Sequence, residues 1–445
     1  MYAAIAGLRT HMQNLNVIGN NVANVNTQSY KSARSVFKTS IYTTISGGSD
    51  GTAVVGGANP SQIGYGANMA SVDIDMSTGN FAVTGNPTDM MIDGDGFFLM
   101  ANKDIAATFD GSAGDVNKLT SMTLTRLGNF AFKADGYLTN DDLCVYGFMC
   151  IGTATAADVP SKASKVGDPI FSDQLVPIRY PRVKVETKYY DANGIEVTLP
   201  DDVATGADGK PTAEALAALN VASQAEVPVI KYASDTAVAD DGTVSYKPLD
   251  DYQEMEVPVG EDGQPIDGAT PERVDYPVAQ FNGITVDKNT GLIYGISNDT
   301  NEVVYIGCIA IGQVTNPNGV TQIGDSYYTA GPGSGDLTIS IIGGGATDMH
   351  ISHVNRSLTM QGAGFGPNGA VGDTADDTSE PDQIDGLRIR SGGKTGLQTN
   401  GLEMSKTDLA QEIANMILTQ RGYQANTRII TVTDSLLEEL VNMQR

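Results

Sequence analysis

Apolar residues recur at alternating steps of three and four at both ends of the chain. Near the N-terminus the series is Ile5, Leu8, Met12, Leu15, Gly19, Val22 and Asn26. Near the C-terminus it runs through Leu409, Ile413, Met416, Gln420, Tyr423, Thr427, Ile430, Asp434, Leu437 and Val441. A repeat of about 3.5 residues keeps one stripe facing a partner helix, which predicts two terminal α-helices that pair as a coiled coil. The competing expectation is an amphipathic helix lying on its own domain. Ser405-Lys406-Thr407-Asp408 offers a cap just before the second stripe. The polar seam positions (Asn26, Gln420, Thr427, Asp434) weaken a stand-alone coil and are suited to setting register or facing a second partner. Proline agrees with long terminal helices. All 18 prolines lie between Pro60 and Pro381, and a proline inside a helix costs about 3 kcal/mol.

Between the ends the period changes to two. Val72–Met76 alternates before the Thr78-Gly79-Asn80 turn, and Phe130-Ala131-Phe132 leads through Asp135-Gly136 into Tyr137-Leu138. Ile284–Val286 and Val303–Ile311 read as further strands. From Val185 to Tyr276 there are twenty acidic residues against five basic ones. Short strand-like pieces (Val183–Val185, Val227–Ile230) alternate there with turns, and Ala213–Val221 reads as one short helix. This stretch is expected to be an inserted, solvent-facing domain. Pro367–Asp385, with six acids and no base, is expected to be a mobile loop.

Charge and composition narrow the function classes. A length of 445 residues predicts two to four domains. The formal net charge is -26, and such a surface is repelled by phosphate backbones and anionic lipid, so neither nucleic acid nor membrane insertion is expected. No 18-residue apolar run occurs. The first residues contain Arg9, His11, Gln13, Asn14 and Asn16, which interrupt any apolar leader, so no cleaved secretory signal is expected. Cys144, Cys150 and Cys308 form no CxxC pair and are expected to be small buried thiols.

Chemical motifs fail on inspection. Ser391-Gly392-Gly393-Lys394-Thr395 resembles the end of a phosphate loop, but Arg388 stands where its first glycine belongs. His350 and His353 lack further ligands for a metal. Asp93-Gly94-Asp95-Gly96 lacks the ligand spacing of a calcium loop and reads as a tight turn. No nucleophile–base constellation is present. Catalytic residues, metal and cofactor are therefore expected to be absent.

The stretch Leu15-Asn16-Val17-Ile18-Gly19-Asn20-Asn21-Val22-Ala23-Asn24-Val25-Asn26-Thr27 resembles the signature of the flagellar rod and hook axial family. At the other end, Leu402–Ser405, Asp408-Leu409, Gln420–Asn426 and Ile429-Ile430-Thr431 resemble the family's C-terminal helix. Gly94–Phe98 and Thr125–Phe130 also fit. Gly57–Gly64, Thr84–Pro87, Gly283–Thr285, Ile306–Gln313 and Asn316–Gly319 resemble segments of hook subunits. Gln28-Ser29 departs from the family's Thr-Gly step, and Asp93 replaces a common Gln.

The resemblance implies a multidomain, mainly β chain in nested layers. Residues 1–28 and 402–445 would form the terminal helical inner domain, and 29–75 a linking segment. Residues 76–145 and 281–401 would form an inner β domain, and 146–280 an inserted outer β-rich acidic domain. It implies a non-enzymatic hook subunit polymerising into a flexible, torque-transmitting tube outside the cell, exported by the flagellar type III apparatus. Its implied partners are copies of itself, the distal rod protein, the hook cap, the hook-length control protein and the hook–filament junction proteins. The expected assembly interface is Leu8, Leu15, Asn20, Asn21, Val22, Asn24, Leu409, Ile413, Met416, Gln420, Tyr423, Asn426, Ile430 and Leu437. A distal-rod subunit and a secreted β-rich adhesin are the alternatives.

Overall fold

The computed structural model describes residues 2–51, 56–103, 122–153, 167, 169–192, 195–197, 211, 213–219, 221–233, 236–238, 244–246, 253–256, 272–324, 326–335, 337–341, 350–352 and 396–443. The expected loop at 367–385, the run Ser391–Thr395 and His353 lie outside them. Among the described residues the chain is mainly β, with three α-helices: α1 at Tyr2–Ala23, α2 at Ala213–Ala218 and α3 at Leu409–Met443. It divides into two compact units, one of Met1–Ala82, Asn316–Val320 and Leu402–Arg445, the other of Val83–Thr315 and Thr321–Gly401.

In the second unit a 13-stranded sheet is centred on β5 (Phe97–Ala101), β6 (Leu143–Thr153) and β7 (Val303–Val314). Each pairs antiparallel with the other two. An unbroken apolar run suits a strand covered on both faces. In β7 every residue from Ile306 to Gly312 is buried, within the run expected from Val303 to Ile311. Phe98, Phe130, Val145, Ile306 and Ile311 belong to one core cluster. The Arg126-Leu127-Gly128-Asn129 turn is packed so closely that a Cβ on Gly128 would lie 1.7 Å from the Met90 carbonyl oxygen. Asp93–Gly96 is the expected turn into β5, with Gly94 and Gly96 at φ of 114° and 135°. All three cysteines are free and buried.

The expected boundary between residues 145 and 146 falls inside β6, and Pro169–Pro177 pairs with β6 in the same sheet. Within the insertion, strands separate from that sheet begin at Arg182. Arg182–Asp191 pairs with Val221–Lys231, bringing Val183 opposite Ile230. Two smaller ribbons join 236–238 to 244–246 and 253–256 to 272–275. Helix α2 occupies six residues of the expected helical stretch.

Among the elements of the first unit are α1, α3 and the strands β1 (Ala33–Thr39), β2 (Tyr42–Ser46), β3 (Ser61–Gly64) and β4 (Ala67–Ile74). β1 pairs with β4 and β2 with β3, both antiparallel. Helix α1 lies against the β1–β4 ribbon, where the Thr10 hydroxyl donates to the Ala67 carbonyl at 2.8 Å.

Candidate assembly interface

Helix α3 starts where its cap predicts. The Asp408 Oδ1 accepts the backbone N–H groups of Ala410 and Gln411 at 3.0 and 3.2 Å, satisfying donors that the first turn leaves open. From there α3 runs antiparallel to α1 in a constant register. The Asn21 amide donates to Glu412 Oε1 at 3.1 Å, and Asn14 to the Thr419 hydroxyl at 2.9 Å. A Cβ on Gly422 would lie 2.8 Å from the His11 ring, and one on Gly7 would lie 2.7 Å from Asn426 Nδ2. Each step forward on α1 (7, 11, 14, 21) is matched by the same step back on α3 (426, 422, 419, 412). The steps are heptad steps, but the residues are small or polar. Glycine lets the two backbones approach, and the amide and hydroxyl groups satisfy one another across the seam.

At the end of α1 the asparagine-rich run becomes a clamp. Buried Asn21 accepts the Ala33 N–H at 2.9 Å and donates to the Ala33 carbonyl at 2.8 Å, so one side chain holds both polar groups at the start of β1. The same Oδ1 takes the Tyr30 hydroxyl at 3.0 Å, and Asn20 donates to that hydroxyl at 3.1 Å. Burial, and then the Glu412 carboxylate, push the Tyr30 pKa up, which keeps the phenol a donor. Asn24 closes the helix by donating to the Asn20 carbonyl and accepting from the Thr27 hydroxyl. Ser29 takes a left-handed φ of 57°.

Beneath this clamp a buried ion pair ties the chain ends together. Lys31 Nζ lies 2.5 Å from Glu403 Oε1, with both side chains 1% exposed. The ammonium also donates to the Ser77 carbonyl at 2.7 Å, and Glu403 Oε1 accepts the Gly79 N–H at 2.6 Å.

Of the expected interface residues, the structure brings Asn21 and Asn426 onto the seam between the two helices. Leu8, Leu15, Val22, Asn24, Met416 and Ile430 are half-buried. Asn20, Leu409, Ile413, Gln420, Tyr423 and Leu437 are exposed. The seam inside the chain therefore sits one residue before the expected stripe on both helices, about 100° around each axis. Gly7, His11, Asn14, Thr419 and Gly422, together with Lys31 and Glu403, were not anticipated. Their one sequence signal is that glycines and amides fall at heptad spacing. Thr419 is the sole buried residue among the 35 of α3.

Two family models match the parts that meet here. "Flagella basal body rod protein" covers residues 1–31, and "Flagellar basal body rod FlgEFG protein C-terminal" covers residues 398–443. The flagellar hook protein FlgE of Borreliella burgdorferi is 26% identical over 509 residues, covering 100% of this chain and 99% of that protein. The flagellar basal-body rod protein FlgG of Bacillus subtilis is 24% identical over 445 residues, covering 100% and 98%. The flagellar hook protein FlgE of Salmonella typhimurium is 24% identical over 457 residues, covering 99% of each.

Proposed function

The chain is a protein of the flagellar hook and rod family, and we propose that it is the structural, non-enzymatic subunit of the hook. Copies of it assemble into a flexible tube that carries torque from rod to filament. One observation carries this reading: α3 spends 35 residues burying a single threonine, while Leu409, Ile413, Leu436, Leu437, Leu440 and Val441 remain exposed. A helix with that much uncovered apolar surface is stable in water only when other chains cover it. Both faces keep heptad steps, but the apolar one is turned outward, so α1 and α3 act as a coiled-coil unit whose remaining faces are closed by neighbouring copies. Leu8, Leu15, Val22, Leu409, Ile413, Met416, Gln420, Tyr423, Ile430 and Leu437 belong to those contacts. Head-to-tail contacts of this kind build an open helix of subunits.

In the same proposal the acidic insertion within 146–280 faces outward and makes wet contacts that remake easily during bending. The distal rod protein, hook cap, hook-length control protein and junction proteins meet the ends of the tube, and the flagellar type III apparatus exports the chain. A distal-rod subunit is the second reading, favoured by the full-length match to the Bacillus subtilis FlgG protein.

Electron microscopy of polymerised purified protein tests the proposal. Curved, supercoiled tubes are expected for a hook, and straight, stiff ones would transfer the assignment to the rod. A monomer that never polymerises would overturn both in favour of an adhesin-like protein. Met416→Pro, in the interior of α3, is expected to abolish tubes, because it removes a helix hydrogen bond at a cost of about 3 kcal/mol. Normal tubes from that variant would refute the role of α3.

A further inference from the structure

The antiparallel register places α1 opposite α3 only as far as Thr431. Residues 432–443, about 18 Å of helix, continue without an α1 residue beside them. Val432, Leu436, Leu440 and Met443 fall within an arc of about 80° at 100° per residue, and all four are exposed. Glu439 borders that stripe. On the side of α1 away from α3 register, a groove of about 380 Å³ lies between α1 and the chain entering β4, lined by Tyr2, Ile5, Arg9 and Tyr65. Tyr2 is 78% exposed and Tyr65 42%.

We propose that the end of α3 from one copy docks in the α1–β4 groove of a second copy, with Glu439 of the incoming helix beside Arg9. This rests on the polymer reading above and names the contact within it. The occupant is a second copy for three reasons. The stripe and the groove are both apolar, and their bordering charges are opposite. A chain cannot fill its own groove, because its α3 continues unbroken to Met443 in the direction that leaves α1 behind. Stripe and groove are also different surfaces of one chain, which gives a heterologous contact that propagates instead of closing.

The test is to copolymerise Tyr65→Cys protein with Leu436→Cys protein and oxidise the tubes. The native thiols stay silent, since Cys144, Cys150 and Cys308 are at most 4% exposed. Expected is a disulfide-linked dimer on a non-reducing gel from mixed tubes, absent when either variant assembles alone. Mixed tubes without the dimer overturn the docking and leave the hook reading standing, and that is also the outcome if a foreign protein takes the stripe. Failure of the unsubstituted chain to form tubes would instead remove the polymer reading. Should either cysteine variant fail to assemble, a charge exchange decides. Arg9→Glu is expected to raise the protein concentration needed for tube growth several-fold, and Glu439→Arg in the same chain to restore it. No restoration overturns the proposal.

Discussion

Removing the positive partner of the Lys31–Glu403 pair should cost far more than removing its charge altogether. In Lys31→Met the Glu403 carboxylate stays 1% exposed and keeps only the Gly79 N–H as a donor among the contacts described above. An uncompensated buried charge typically costs about 3–5 kcal/mol. In Lys31→Met/Glu403→Gln the neutral amide can still accept from Gly79, and the chief loss is the lysine donor to the Ser77 carbonyl. Leaving one carbonyl unsatisfied costs about 1–2 kcal/mol. The double variant should therefore be more stable than the single one by about 1–4 kcal/mol, although it carries more changes. Because the pair joins segments 372 positions apart, its loss should also loosen the path from α1 to α3. Urea denaturation of the monomer, followed by helical circular dichroism at constant m-value, measures all three proteins. Equal costs for the single and double variants, or a single-variant cost under about 1 kcal/mol, would mean that water screens the pair and that it is no clamp.

Three further outcomes separate the two faces of the helices and the chemistry of the core. Leu437→Lys, on the uncovered stripe of α3, should leave monomer stability within about 0.5 kcal/mol while abolishing sedimentable polymer; a matching loss of monomer stability would place Leu437 inside the chain. Gly422→Leu should do the reverse, destabilising the monomer by about 1–3 kcal/mol as its side chain meets the His11 ring, and His11→Ala in the same chain should recover part of the loss. Burial pushes the Cys150 thiol up to about 12 and moves Cys308 in the same direction. Folding thus favours the protonated thiols: their contribution is complete below the ordinary value of 9.0 and is lost as pH rises above it, by about 1.4 kcal/mol per unit for each thiol. Denaturation midpoints measured from pH 8 to 11 should fall above pH 9 and fall less steeply in Cys150→Ala/Cys308→Ala; an identical slope in the two proteins would refute that assignment.

What could be read from the residues, and what could not, follows from where each contact is made. The run Val303–Ile311 was legible as a strand because its apolar side chains are buried by the same chain. The boundary expected at 145/146 was not, because β6 stays apolar straight through it and the acidic bias begins only near Val185. Lys31 and Glu403 were invisible as a pair, since two isolated charges far apart in the chain carry no period. The terminal helices are the instructive case. Their spacing correctly implied helices with heptad steps, yet sorting positions by the expected stripe selected Leu8, Leu15, Ile413 and Tyr423, one residue away from the seam that the chain closes on itself with Gly7, Asn14, Glu412 and Gly422. An apolar stripe marks what must eventually be covered, without saying by which molecule. Where a helix pair spends its glycines and amides internally and turns its leucines outward, the hydrophobic pattern describes the polymer, and only the smaller, polar pattern beside it describes the monomer.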